Sequence, residues 1–281
     1  MKTRRIIGLI AFMIMVMTTI CGWSWAKGEN RLSLQGSTTV LPIAQAAAEE
    51  YMDLVDMDLL PEADITVRGG GSGVGIAALL DGTIDIANAS RPMKPKEIEK
   101  AKVKGIKPFA TVIAKDGIAV IVYPSNSVAE LSMRDLKAIY TGQINNWSEL
   151  GGEAKPMVVI SRDTASGTFE TFNKLALKGA KVRKDALMLA SNQGVATTVS
   201  KTPGAIGYIG LGYLSPKVKA LKIDGVEPSQ KTVVSGEYKL SRPLFMYTNG
   251  KPKGLAKKFI DFVLSLSGQR IVEDIGFVPL R

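Results

Sequence analysis

Histidine is absent from the 281 residues, cysteine occurs once, at Cys21, and aromatic side chains make up only 6%. Without histidine a Ser-His-Asp arrangement is impossible. Without a second cysteine there is no disulfide framework. A zinc site would need carboxylates alone, and the sequence shows no clustered set of them. No SxxK stands beside a plausible nucleophile turn, so a Ser-Lys pair has little support either. The glycine-rich stretch GGGSGVGIAALL (69–80) lacks the Lys-Ser/Thr of a phosphate-binding P-loop. It also lacks the third glycine of a dinucleotide fingerprint, because Ile76 stands there. Lysines are scattered, and no basic stripe is interleaved with aromatics, which argues against a nucleic-acid partner. Internal repeats and low-complexity tracts are also missing.

A long apolar run occurs only at the start. Lys2, Arg4 and Arg5 precede an apolar segment from Ile6 to Ile20, and Ser24 and Ala26 are small residues before Lys27. That pattern reads as a secretory signal peptide over residues 1–26, cleaved near Ala26. The run is short for a membrane anchor, and no stop-transfer pattern follows. Ile20 is too large for the small residue that usually precedes a lipidated cysteine, which argues against lipidation of Cys21. Cleavage would reduce 281 residues to 255, with no cysteine, and lower the formal charge from +10 to +7. Stability then rests on ordinary apolar cores, one large or two smaller.

The remaining chain reads as α/β. Strands are expected at 31–36, 64–69 and 83–90, alternating with helices at 40–52, 75–82 and 95–105. Residues 108–124 suggest two successive strands separated by the Asp116-Gly117 turn signal. A second unit follows: a helix at 132–142, a strand at 157–162, a helix at 167–177 and a strand within 204–214. Residues 217–243 look turn-rich, suited to a crossing back, and 254–276 reads as one helix. The sequence predicts two α/β lobes with a mainly parallel sheet.

Three loops share one design, in which a strand ends, hydroxyls or glycines follow, and a helix begins. They are GSTTVLP (36–42), GGGSGVG (69–75) and RDTASGTF (162–169). Serine and threonine before a helix are commonly N-caps. Helix starts also bind anions through unpaired N–H groups, and an α/β sheet binds ligands beyond the C-terminal ends of its strands. Arg162 could add two parallel hydrogen bonds to a tetrahedral oxyanion, or serve only in an ion pair with Asp163 or Glu170. The chemistry is that of a cradle with many neutral donors and one positive charge.

These loops, together with DIANASRPM, KDGIAVIVYP, YTGQINNWSELGG, PGAIGYIGLGYL and SGQRIVEDIGFVPL, run in one order through the chain. In this it resembles the phosphate-binding proteins of bacterial phosphate ABC transporters. The resemblance implies a two-lobe periplasmic binding protein fold of class II, with a mixed sheet flanked by helices in each lobe and a cleft between them. It implies a first lobe of residues 27–118 plus 222–281 and a second of 119–221. It implies a periplasmic, monomeric, non-enzymatic protein without cofactor or metal that delivers inorganic phosphate to a membrane permease. Carried over by motif, the binding residues would be Ser37, Thr38, Thr39, Ser72, Ser90, Arg162, Ser166, Gly167 and Thr168.

One position departs from the family's best-known branch. There an acidic residue follows the third-strand serine and accepts the phosphate's proton, whereas here Arg91 stands in its place. Arg91 would contact either the ligand or an acidic neighbour. Asp116 becomes the first candidate acceptor and Asp85 the second, against their readings as a turn residue and a structural acceptor. Loss of the acid keeps sulfate, molybdate, tungstate or a phosphonate open as ligands. An envelope phosphate sensor, or a secreted phosphatase or phosphotransferase working without histidine, would be the other classes.

Overall fold

The computed structural model describes residues 30–280, and the expected leader and its cleavage site lie outside them. β1 (Arg31–Gly36) alternates buried and exposed residues, with Leu32 and Leu34 inward. It is followed by α1 (Leu41–Asp56), β2 (Asp64–Arg68), α2 (Ser72–Leu80), β3 (Ile86–Ala89) and α3 (Pro95–Val103). β1 lies between β2 and β3 and is parallel to both. α1 turns Ile43, Ala44, Ala47, Ala48 and Tyr51 onto the sheet, the helical spacing read from the sequence.

β4 (Pro108–Val122) then runs for 15 residues, followed by the short β5 (Glu130–Leu131) and by α4 (Met133–Thr141). Ser132 caps α4, and Gly142 ends it in the left-handed region. β6 (Val158–Arg162) leads to α5 (Gly167–Phe172), which continues into a π-helical turn at Asn173–Leu177. β7 (Leu187–Leu189), α6 (Asn192–Lys201), β8 (Ala205–Gly210), β9 (Lys219–Ala220), β10 (Lys222–Ile223) and α7 (Gln230–Val234) follow. The chain ends with β11 (Ser241–Asn249), α8 (Gly254–Leu264) and α9 (Leu266–Asp274).

Among the described residues the main sheet has the order β2-β1-β3-β11-β4-β8-β6-β7, and β9 also pairs with β4. The sheet is mixed rather than mainly parallel. β11 is antiparallel to both β3 and β4, and β4 is antiparallel to β8. Two parallel groups, one in each half, are joined by these antiparallel strands.

Residues 108–124 hold one long strand, not two separated by a turn. The first part of β4 pairs with β11 up to Gly117, and the part from Ile118 pairs with β8. Asp116 remains in the ladder because Arg242 lies opposite it in register and neutralises it. Gly117 is tightly packed: an added Cβ would lie 2.9 Å from Val233 and 3.1 Å from Leu211.

Three apolar clusters hold the halves. One packs α1, α8 and α9 on β1 through residues such as Leu34, Ile43, Phe259 and Val263. A second lies around Ile76, Leu79, Ala87 and Phe245. The third fills the other half, from Ile118 to Leu240. Ile223, Val233, Tyr238 and Leu240 belong to that third cluster, so residues 222–240 pack against the second half although the sequence reading assigned them to the first. The expected single helix over 254–276 is two, broken at Ser265, whose hydroxyl caps the second.

Candidate functional site

β1, β2, β3, β6 and β7 all end near the line where the two halves meet, and the loops after them face one another. After β1, Ser37 Oγ accepts from the N–H groups of Thr39 and Val40 at 3.1 and 3.4 Å. This takes up the capping role and leaves the hydroxyls of Thr38 and Thr39 for longer-range contacts. After β2, Gly71 has φ 99°, and a Cβ there would sit 2.8 Å from the carbonyl oxygen of Ala165. Glycine thus lets the second loop touch the third, and Gly73 N donates to Ala165 O at 2.9 Å. Ser72 Oγ accepts from Ser90 N at 3.0 Å and lies 3.3 Å from Ser90 Oγ.

From the other half, the ring of Tyr208 stacks on Phe172 at 4.0 Å, and its hydroxyl accepts from Arg162 N at 3.1 Å. That holds the end of β6. The Arg162 side chain donates from Nε to Leu189 O at 3.0 Å and from Nη2 to Ala190 O at 2.8 Å and Thr38 Oγ1 at 3.2 Å. Its Nη1 is buried with no protein partner. Ser166 Oγ caps α5, accepting from Thr168 N and Phe169 N. Gly167 abuts the two serines, because an added Cβ would lie 2.3 Å from Ser72 Oγ and 2.6 Å from Ser90 Oγ. Thr168 Oγ1 lies 3.0 Å from Thr39 Oγ1.

Two further residues complete the cluster, and the sequence reading missed both. Arg242 on β11 donates from Nη2 to Thr39 Oγ1 at 3.1 Å and Thr168 Oγ1 at 3.0 Å, and from Nη1 to Ser90 O and Oγ at 3.3 Å. Asn192, the first residue of α6, donates to Thr38 Oγ1 at 3.1 Å and Thr39 Oγ1 at 3.0 Å. Its Oδ1 accepts from Gly210 N at 3.2 Å. The apolar run Leu244–Tyr247 was a usable strand signal for β11, but nothing in it marked Arg242. A lone Asn carried none.

Two expected site residues are committed elsewhere. The Arg91 guanidinium makes two parallel 2.8 Å bonds to Glu97 and a third to Pro92 O, so it takes the acidic neighbour. Burial pushes Glu97 up, but hydrogen bonds from Arg91 and the Lys94 N–H, with both their charges, hold it below the usual carboxylate range. Asp116 is not a turn residue. Its Oδ2 accepts from Arg242 Nε at 3.0 Å and Nη2 at 2.8 Å, and its Oδ1 accepts from Leu211 N at 2.9 Å. Burial pushes this carboxyl up against the pull of Arg242. Asp85 accepts from Ser33 N and Oγ, a structural bond at the far end of β3.

The electrostatic balance is uneven. Arg91 and Arg242 each have a carboxylate. Arg162 has none within ion-pairing distance among the described residues, although it is only 1% exposed. Burial pushes its pKa down to about 10, so it remains a cation at neutral pH. An unpaired buried charge is strongly unfavourable unless something of opposite sign reaches it. The surrounding hydroxyls Thr38, Thr39, Ser72, Ser90 and Thr168 are all buried. The arrangement can hold a small tetrahedral anion and offers no nucleophile–base pair. Among the described residues there is no metal-binding group of three His, Cys, Asp or Glu side chains.

A PBP superfamily domain matches residues 24–267. The chain is 37% identical to the phosphate-binding protein PstS of Bacillus subtilis, over 99% of this chain and 95% of that protein. It is 31% identical to the phosphate-binding protein PstS of Borreliella burgdorferi, over 97% of this chain and 99% of that protein. A crystal structure of a Clostridium perfringens phosphate ABC transporter substrate-binding protein with bound phosphate superposes with a TM-score of 0.82. It is 34% identical, over 90% of this chain and all of the other. With two α/β halves meeting at a buried, cationic, hydroxyl-rich site, the chain belongs to the phosphate-binding protein family of the PBP superfamily.

Proposed function

We propose that this chain captures inorganic phosphate between its two halves and delivers it to the membrane permease of an ABC transporter. The observation that carries this reading is Arg162, a buried cation without a carboxylate and with Nη1 unpartnered. Thr38, Thr39, Thr168, Ser72 and Ser90 supply hydroxyls, and Gly167 allows close approach. Ser37 and Ser166 act mainly as caps that shape the loops. The first lobe comprises the residues up to Gly117 and from Ser241 onward, and the second comprises 118–240, in keeping with the apolar clusters. The protein works as a monomer outside the cytoplasm after removal of residues 1–26.

A second anion has one observation in its favour: Arg91 replaces the expected acid, and both Asp116 oxygens are engaged. Sulfate is therefore the comparison ligand. Calorimetric titration of residues 27–281, stripped of bound anion, is expected to give one-to-one phosphate binding and a much weaker sulfate response. Equal or preferred sulfate binding would reassign the ligand. No binding of either would overturn the reading.

A further inference from the structure

The site's hydroxyls are not interchangeable, because a hydroxyl has one hydrogen and two lone pairs. Thr38 Oγ1 accepts from Arg162 and Asn192 and is full as an acceptor. One Nη2 hydrogen of Arg242 goes to Asp116, and the other is shared between Thr39 and Thr168, so Thr39 Oγ1, which also accepts from Asn192, is filled as an acceptor. Thr39 must then donate in its contact with Thr168, whose Oγ1 already accepts from Arg242. The Asn192 amide cannot be reversed, since its Oδ1 holds Gly210 N. Each threonine is thereby fixed in direction: Thr39 spends its hydrogen on Thr168, and Thr38 and Thr168 keep theirs to donate to a ligand.

The two serines differ. Ser72 Oγ accepts from Ser90 N, and Ser90 Oγ accepts from Arg242 Nη1. In the contact between them either oxygen can be the donor. Whichever donates, the pair retains one lone pair and one hydrogen. Asp116 has no comparable freedom, being held by Arg242 and Leu211 N. Among the described residues Asn88 Oδ1 and the Tyr51 hydroxyl are also buried without a partner. Asn88 lies on β3 two residues before Ser90, one strand repeat farther from the loops, and Tyr51 packs in the α1 core.

A phosphate dianion carries one P–OH and needs one acceptor, whereas sulfate needs none. Resting on the phosphate reading above, we infer that the Ser72–Ser90 hydroxyl pair accepts the ligand's proton. It takes the place of a carboxylate in separating protonated from unprotonated tetrahedral oxyanions. Arg242 and Asn192 act as positioning residues that turn the threonines into donors and leave acceptance to the serines.

The test is phosphate and sulfate titration of the wild type, the Ser72→Ala/Ser90→Ala double variant and Asn88→Leu. In the double variant the phosphate-to-sulfate affinity ratio is expected to fall at least about tenfold, since only phosphate loses an acceptor. Equal loss for both anions would overturn the assignment, as would a ratio that moves only in Asn88→Leu. A second measurement uses unaltered protein: calorimetry above about pH 8 in buffers of different ionisation enthalpy counts the protons exchanged on binding. The expected result is no net release, the dianion being bound intact. Release of about one proton per phosphate would mean a site of donors only and overturn the inference while leaving the phosphate reading in place. A wild type that binds no phosphate would end both.

Discussion

Arg162 is where affinity and stability should part company. A charge-assisted hydrogen bond contributes about 1.5–3 kcal/mol, or roughly 10- to 150-fold in binding. Arg162→Met should therefore weaken phosphate binding by at least tenfold, while removing a cation that the closed arrangement buries without a carboxylate. The expected result is a ligand-free Tm within a few degrees of wild type and little further rise on adding phosphate. A large drop in the ligand-free Tm would mean that Arg162 serves the fold. The pH dependence has a definite sign. The folded pKa, about 10, lies below the ordinary arginine value, so the unfolded chain holds this proton more tightly. The charged guanidinium subtracts stability below about pH 10, and the penalty is relieved as pH rises from about 10 toward the ordinary arginine value. Phosphate affinity should fall as pH passes about 10, because the site loses its cation. At this scale the hydroxyls and Arg162 were legible, since motif and strand-end position both marked them. Arg91 was not, because its choice of Glu97 over the site depends on where α3 begins.

At the scale of elements, the centre is the crossing of β4 and β11, where Asp116 and Arg242 stand opposite each other. Both are nearly inaccessible to solvent. Breaking such a pair from one side leaves an uncompensated charge and is destabilising by about 3–5 kcal/mol. Asp116→Asn should show that loss in urea unfolding. Asp116→Leu with Arg242→Met should recover most of it, since replacing both partners with apolar groups of similar size is often neutral. The same double variant should bind phosphate weakly, because Thr39 and Thr168 lose the donor that sets their direction. Recovery of stability together with full affinity would refute the positioning role of Arg242. The strands of both parallel groups were readable from apolar runs between turn signals. β4 was misread because a Gly after an Asp signals a turn locally, and only the strand opposite shows that the charge is neutralised. The sequence reading places the return to the first lobe early, at 222 rather than at β11, because 222–240 is polar and broken, yet Tyr238 and Leu240 anchor that stretch in the other core.

The whole molecule presents a site reached only if its halves separate, since every hydroxyl in the cluster is buried. Besides the site itself, Lys94 at the start of α3 and Glu170 on α5 form an ion pair across the mouth, each about one quarter exposed. A partly exposed pair contributes about 0.2–1 kcal/mol, which is up to about fivefold in an equilibrium constant. The contact requires the halves to be together, so it belongs to the step after encounter and should appear in dissociation. Glu170→Gln is expected to raise the phosphate off-rate up to about fivefold in stopped-flow measurements, with no fall in the on-rate. The lysines around this opening, Lys94, Lys174 and Lys178, keep their charge in the variant and still attract an anion. The difference in off-rate between variant and wild type should shrink in high salt, which screens a partly exposed pair but hardly reaches Arg162. An effect confined to the on-rate would make Glu170 part of the electrostatic approach instead, and would leave closure to the buried contacts of Thr38, Thr39 and Thr168 alone.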